Sequence, residues 1–250
     1  MTTRNDMEEL IGVPLCMDCM ELMSGLPDNS VDLVVTDPPY GINYKSGLQC
    51  FDRRDNLGGS GIRKRDNNYF TEIVGDDTFP IIWFKHAYRI ICDGGAFYTF
   101  CHWKTWGVAY DAAIDAGFNV KNMIVLNKSN HGMGDLKGSF APKHELLLFA
   151  AKGRHLLNFP KGRDKDVWDV PVIFSKAIRL HPNRKPNSWI KPCIINSSLP
   201  GDIVLDPFAG SFTTAYVAQQ LNRRWISCDI SPEYVEIGRK RLSSIQPSLL

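Results

Sequence analysis

Apolar positions in this chain fall into short, nearly unbroken hydrophobic runs, separated by longer stretches with helical spacing. The run at 31–36 (Val-Asp-Leu-Val-Val-Thr) and the run at 203–205 (Ile-Val-Leu) do not alternate as a strand with one wet face would. That pattern predicts strands covered on both sides. Comparable runs at 96–100, 120–126, 145–151 and 225–228, and a short one at 12–16, complete the strand set. Between them, residues 80–91, 105–116 and 213–221 space apolar side chains as a helix burying one face requires. Gly117 stands where a helix stop is expected, and Pro232 where another helix would start. The runs at 120–126 and 145–151 are expected to pair antiparallel across the intervening loop. Strand and helix otherwise alternate, which predicts an α/β fold: a mostly parallel twisted sheet, helices on both faces, and one antiparallel strand pair.

Two stretches break the alternation. Residues 46–71 are rich in Gly, Arg, Asp and Asn and read as a flexible insertion. Residues 152–180 mix basic and aromatic side chains. A length of 250 residues fits a single domain, 1–250, with a large core. No apolar run approaches the ~20 residues needed to span a bilayer, and the polar, acidic first ten residues do not read as a secretory leader. The seven cysteines are odd in number and irregular in spacing, so no disulfide framework is expected and a reducing, cytoplasmic setting fits. Cys16 and Cys19 form a lone pair without a second pair, and no metal site is expected. A formal net charge of +2 does not by itself argue for a nucleic-acid partner. Local clusters do. Arg53, Arg54, Arg63, Lys64 and Arg65 form one, and Lys161, Arg163 and Lys165 another, suited to phosphate contacts that carry no sequence information.

The chemistry concentrates at two turns. Asp37-Pro38-Pro39-Tyr40 directly follows the first buried run, and Asp206-Pro207-Phe208-Ala209-Gly210-Ser211 follows the late one. In open parallel sheets, ligands bind beyond the carboxyl ends of strands, where the strand order reverses. Two carboxylate turns of this kind therefore predict two ligands meeting at one crevice. Prolines fix φ and lack an N–H, so the Asp37 carboxylate and the Pro38 carbonyl are held in set directions, and Tyr40 offers a flat face for a base. At the second turn, Gly210 allows close backbone approach. The helix that follows presents an N-terminus suited to a carboxylate, and Asp229 ends the next strand, where acids grip ribose hydroxyls.

These strings resemble the amino-directed DNA methyltransferases that use S-adenosylmethionine, specifically the circularly permuted beta group, in which the base-contacting turn precedes the donor-binding turn. The resemblance covers nearly the whole chain and implies a Rossmann-like methyltransferase fold. It implies that Asp37, Pro38, Pro39 and Tyr40 contact a flipped base, and that Asp206, Phe208, Ala209, Gly210, Ser211, Thr213 and Asp229, with Asp37, line the donor site. Asp18, within Met17-Asp18-Cys19, looks like a segment that approaches the donor adenine. Lys185, within His181-Pro182-Asn183-Arg184-Lys185-Pro186, looks like an element that helps hold the methionine end and precedes a helix. The family's Asp-Pro-Phe-x-Gly-Ser-Gly-Thr-Thr matches 206–214 except at Phe212, which either narrows the donor pocket or turns into the core. Asp at position 37 points to adenine N6 as the acceptor. The rival readings are cytosine N4, a non-catalytic DNA-binding relative, and an RNA or protein methyltransferase. By position, 152–180 resembles a short target-recognition region. Double-stranded DNA, a homodimer and a cognate restriction endonuclease are the partners this likeness implies.

Overall fold

A computed structural model describes residues 4–39, 79–131, 138–159, 162–171 and 184–245. Tyr40, the basic cluster 53–65, Lys161 and His181–Asn183 lie outside the described residues. A first helical turn, α1 (Arg4–Glu8), leads into β1 (Pro14–Cys16), α2 (Cys19–Gly25) and β2 (Val31–Thr36). Next come α3 (Phe79–Ile90), β3 (Ile91–Cys101), α4 (Trp106–Ala116), β4 (Asn119–Lys128) and β5 (His144–Ala151). The chain continues through β6 (Val167–Val170), α5 (Asn187–Ser197), β7 (Ile203–Asp206), α6 (Thr213–Gln220), β8 (Arg224–Asp229) and α7 (Pro232–Ser243). Gly117 caps α4 at φ 104°, a left-handed conformation that a residue with a Cβ resists.

The described strands form one sheet in the order β1-β8-β7-β2-β3-β5-β4-β6. Pairing is parallel except where β5 runs antiparallel to β3 and β4. The expected antiparallel pair is thus present, with Asn127 opposite His144 at its open end. Alternate residues of each strand enter opposite cores. Val34, Phe97, Leu148, Leu205 and Ile226 pack with α2, α3 and α4 on one face. Leu33, Val35, Tyr98, Leu147, Val204 and Trp225 pack with α5, α6 and α7 on the other. Double coverage explains why the strands read as continuous apolar runs: with period 2, each face of the strand needs its own set of apolar side chains.

The helix after β2 lies on one face and the helix after β7 on the other. The chain therefore winds outward in both directions from the β2–β7 pair, whose register sets Leu33 beside Val204 and Val34 beside Leu205. That pair is the topological switch point, where a crevice opens beyond the strand ends. Among the described strands, one departs from expectation. Val167–Val170, inside the stretch predicted to interrupt the pattern, pairs parallel with β4 and extends the sheet at its edge.

Candidate active site at the sheet's carboxyl edge

The parallel registers bring Asp18, Asp37, Asp206 and Asp229 to one edge of the sheet, because each follows or ends a parallel strand. Cys16 lies opposite Asp229, Asp206 opposite Ser227, and Val34 opposite Leu205. The antiparallel β5 contributes its first residues to the same edge, with Leu146 opposite Cys101. There β4 contributes its last, with Asn127 opposite His144.

The two turns are joined directly. The Thr36 hydroxyl donates to Asp206 Oδ1 at 2.7 Å, from the end of β2 to the end of β7. The Phe208 N–H donates to the same oxygen at 3.2 Å. Asp206 is only 4% exposed. Burial lifts its carboxyl to about 7, the nearby Asp37 adds to that, and the Thr36 and Thr214 hydroxyls with the Phe208 amide pull the other way. Pro38 and Pro39 line a small cleft with Trp83, Phe84, Thr99 and Phe100. Phe208 meets the same Trp83 edge-on at a ring separation of 5.3 Å. Trp83 thus borders both turns.

The second turn is stitched to β8. The Ala209 N–H donates to the Cys228 carbonyl at 2.9 Å, and the Gly210 N–H to Asp229 Oδ2 at 2.8 Å. Asp229 Oδ1 accepts from the Ser231 N–H at 2.9 Å. This carboxylate therefore shapes the turn. Gly210 takes φ 49°. Asp18 caps α2, accepting from the Met20 and Glu21 amides at 2.8 and 3.2 Å. Ser211 and Thr213 are buried, and their side-chain oxygens lie 3.2 Å apart. Arg241 of α7 donates to the Ser211 carbonyl at 3.0 Å and to Thr213 Oγ1 at 2.9 Å, which fixes the start of α6.

Phe212, the departure from the family pattern, turns into the core. Its side chain is fully buried and its backbone is left-handed at φ 56°. It rests on Gly238 of α7, where an added Cβ would stand 2.4 Å from Phe212 Cδ2. The missing side chain at 238 accommodates the extra ring at 212.

Lys185 stands between two carboxylates, with Nζ 3.1 Å from Asp37 Oδ2 and 2.8 Å from Glu145 Oε2. It also lies 5.0 Å from the Phe100 ring centroid. Burial works against its charge, but Asp37 and Glu145 outweigh burial, so its pKa lies above the ordinary lysine value. Burial likewise opposes ionisation of Glu145, and Lys185, then Lys128, reverse that and lower its pKa. Sequence reasoning gave no role to Glu145, Thr36 or Arg241. At Glu145 the available signals were the family resemblance, which includes Asn127-Lys128 after one strand and His144-Glu145 at the start of the next, and a charged residue abutting the apolar run 146–151. Arg163 and Lys165 are exposed in the loop before β6 and are not brought to this edge: β6 runs parallel to β4, so the loop before it lies toward the opposite edge, where Asp164, between them, accepts from Asn196 Nδ2 near the end of α5 at 2.9 Å.

Known proteins resemble this chain in sequence and in fold. A family model described as DNA methylase matches residues 31–240. The chain is similar to the type II methyltransferase M.HpaI of Haemophilus parainfluenzae, at 29% identity over 92% of this chain and 74% of that protein. It is also similar to the type II methyltransferase M.HinfI of Haemophilus influenzae, at 26% identity over 98% of this chain and 72% of that protein. The crystal structure of the M1.HpyAVI–SAM complex superposes with a TM-score of 0.66 at 22% identity, covering 92% of this chain and 98% of that one. The PvuII DNA methyltransferase, cytosine-N4-specific, also gives 0.66, at 18% identity over 94% of this chain and 86% of that one. At such identities the two structures speak for a shared fold.

Proposed function

The chain belongs to the DNA methylase family, and from that premise we propose that it transfers a methyl group from S-adenosylmethionine to the N6 amino group of adenine in double-stranded DNA. The observation that carries this reading is the Thr36–Asp206 hydrogen bond at 2.7 Å, which ties the base-side turn to the donor-side turn across the switch point.

An adenine amino group is a weak nucleophile because its lone pair is delocalised into the ring. Asp37 and the Pro38 carbonyl accept its two hydrogens, which favours a tetrahedral nitrogen with the lone pair aimed at the methyl carbon. The nitrogen–carbon bond forms as the sulfur–carbon bond breaks, the sulfonium electrons return to a neutral thioether, and the amino proton passes to water. The leaving group is already good, so the protein's task is positioning and fixed electrostatics. The target base leaves the duplex at a cost of a few kcal/mol, and Tyr40, next to Pro39 in sequence, supplies its stacking face. The donor lies along Phe208–Ser211, with Asp229 and Asp18 toward its nucleoside end and the start of α6 toward its carboxylate. Arg163 and Lys165 serve the DNA backbone, as do Lys161 and the 53–65 cluster.

A second reading is kept for one reason. The fold is shared with a cytosine-N4-specific enzyme, and amino-group chemistry at cytosine needs the same turn. Asp37 in the first position of that turn favours adenine. Purified protein, unmodified plasmid and methyl-labelled donor, followed by nucleoside mass spectrometry, should yield N6-methyladenine. Asp37→Ala should abolish it. Methylcytosine as the product, or activity retained in the variant, would overturn the assignment.

A further inference from the structure

We propose that Glu145, gripped by Lys128, is a positioning residue that sets where Lys185, and through it Asp37, stands during methyl transfer. The inference rests on Asp37 being the group that accepts the target amino hydrogens.

Four charged side chains of alternating sign come from four separate elements. Lys128 ends β4, Glu145 is the second residue of β5, Lys185 lies in the segment before α5, and Asp37 follows β2. Lys128 Nζ is 3.6 Å from Glu145 Oε1, and Lys185 Nζ is 2.8 Å from Glu145 Oε2 and 3.1 Å from Asp37 Oδ2. Side-chain exposure along the chain runs only from 15% to 30%. The sheet order explains the arrangement. β3 lies between β2 and β5, so Asp37 and Glu145 project from strand ends roughly 10 Å apart. Lys185 bridges that gap over the end of β3, where it meets the Phe100 ring.

The physical consequence concerns Asp37. With Asp37 as its sole carboxylate, the Lys185 ammonium would close on that group and occupy the oxygen needed for the substrate amine. Glu145 makes the shorter of the two contacts, 2.8 Å against 3.1 Å, so the ammonium is shared between two carboxylates instead of closing on Asp37 alone. It also balances charge. Asp37, Glu145, Lys185 and Lys128 sum to zero (−1 −1 +1 +1). Neutralising Glu145 removes one of the two carboxylate charges that face Lys185. Glu145 stands second in a strand whose next residues, Leu146 to Ala151, are buried, so its backbone is a fixed support rather than a loose surface partner.

The test uses the full chain with Glu145→Gln and Glu145→Asp, unmodified plasmid DNA and S-adenosylmethionine. Glu145→Gln should lower kcat about 100-fold while the KM for DNA stays within about twofold, since no DNA contact is removed. Glu145→Asp, which restores the charge on a shorter arm, should recover part of the loss. An NMR titration of the Lys185 ammonium should show it losing its proton at lower pH in Glu145→Gln than in the parent. An unchanged kcat in Glu145→Gln, or an Asp variant no better than the Gln variant, would overturn the proposal. If Glu145→Gln fails to fold, Lys128→Met reaches the same group from its other side and should lower kcat about tenfold; an unchanged kcat there overturns the proposal equally. A parent protein inactive on DNA counts against the methyltransferase reading instead, and the lysine titration then decides the charge chain alone: coincident curves would refute it.

Discussion

Gly238→Ala should destabilise the protein by about 2 kcal/mol, and combining it with Phe212→Gly should cost about 2 kcal/mol less than the two single losses added together. The new methyl would lie 2.4, 2.6 and 3.0 Å from Phe212 Cδ2, Cγ and Cε2. Comfortable carbon contacts lie near 3.5–4.0 Å, so one partner must retreat by about 1 Å. Neither can do so cheaply. Phe212 is pinned at both backbone ends, its N–H to the Ala209 carbonyl at 2.7 Å and its carbonyl to the Tyr216 N–H at 3.0 Å. On either side of Gly238, α7 is anchored by buried Val235 and Leu242. Overpacking of this kind costs about 1–3 kcal/mol, and this contact belongs at the upper end. Alanine gains about 1 kcal/mol over glycine within a helix, which leaves the net near 2.

Phe212→Gly alone has two opposing terms. It relieves a left-handed φ worth about 1 kcal/mol, but it empties a fully buried aromatic site worth about 3–5 kcal/mol. Loss of packing wins, by about 2–4 kcal/mol. In the double variant the methyl at 238 enters the vacated space. The pair should therefore be less damaging than the sum, by a coupling of about 2 kcal/mol. Thermal and urea unfolding of the parent, both single variants and the double variant close the cycle. The parent-to-Gly238→Ala step should lower Tm by about 4–8 °C for a chain of this size. Additivity within about 0.5 kcal/mol would refute the contact. The same series separates the two roles considered for Phe212. Because the ring faces the core, Phe212→Gly should leave S-adenosylmethionine affinity within about threefold of the parent, whereas tenfold tighter binding would mean that the ring narrows the donor pocket.

Two further outcomes follow from the charges. Burial lifts Asp206 from 3.8 to about 7, so the unfolded chain releases this proton near pH 4 and the folded chain near pH 7. Stability should therefore fall as pH rises through that window, by on the order of 4 kcal/mol from this group. Asp206→Asn should flatten the difference in Tm between pH 5 and pH 8, and parallel pH profiles would sink the assignment. Replacing Arg163 and Lys165 together with Gln should weaken DNA binding evenly across sequences and reduce the slope of log affinity against log salt by about 2; an unchanged slope would remove both from the interface.

The buried strands and the two carboxylate turns were legible because each is a local signal: an apolar run, a proline or glycine, and an acid within a few residues. The switch point was legible only through that turn chemistry, since strand order is not written in any one segment. β6 was missed because Val167-Trp168-Asp169-Val170 alternates with charge on both flanks, and an edge strand needs a partner on one side only. Residue pattern alone gave no sign of α5. It carries Pro192 in its interior, which argues against a helix in any reading of propensity. Four buried apolar side chains, Trp189, Ile190, Cys193 and Ile194, hold it in place regardless. Phe212 was ambiguous because its counterpart, Gly238, lies in a different helix. Glu145 matched the family resemblance without a role for a similar reason: its link to Lys185 crosses 40 positions in sequence and exists only once β5 runs antiparallel to β3.

The segment from Arg184 to Asn187 explains how two separately built turns keep a common geometry. At one end Lys185 pairs with Asp37. At the other, Asn187 Oδ1 accepts from Arg241 Nη2 at 2.6 Å, and the same guanidinium holds the Ser211 carbonyl and the Thr213 hydroxyl while lying 4.4 Å over the Tyr216 ring. Burial, then the neighbouring Arg184, lower the Arg241 pKa to about 10, which still leaves it charged at neutral pH. One short stretch therefore meets the first turn through the Lys185–Asp37 ion pair and reaches the second through Arg241, which hydrogen-bonds Ser211 and Thr213. In-line methyl transfer punishes a 1 Å error by about 100-fold, so both turns must be referenced to the same support. The two grips differ in kind. Hydrogen bonds to a backbone carbonyl and a hydroxyl fix the donor turn whatever binds, whereas the ion pair at Asp37 responds to any charge brought beside it.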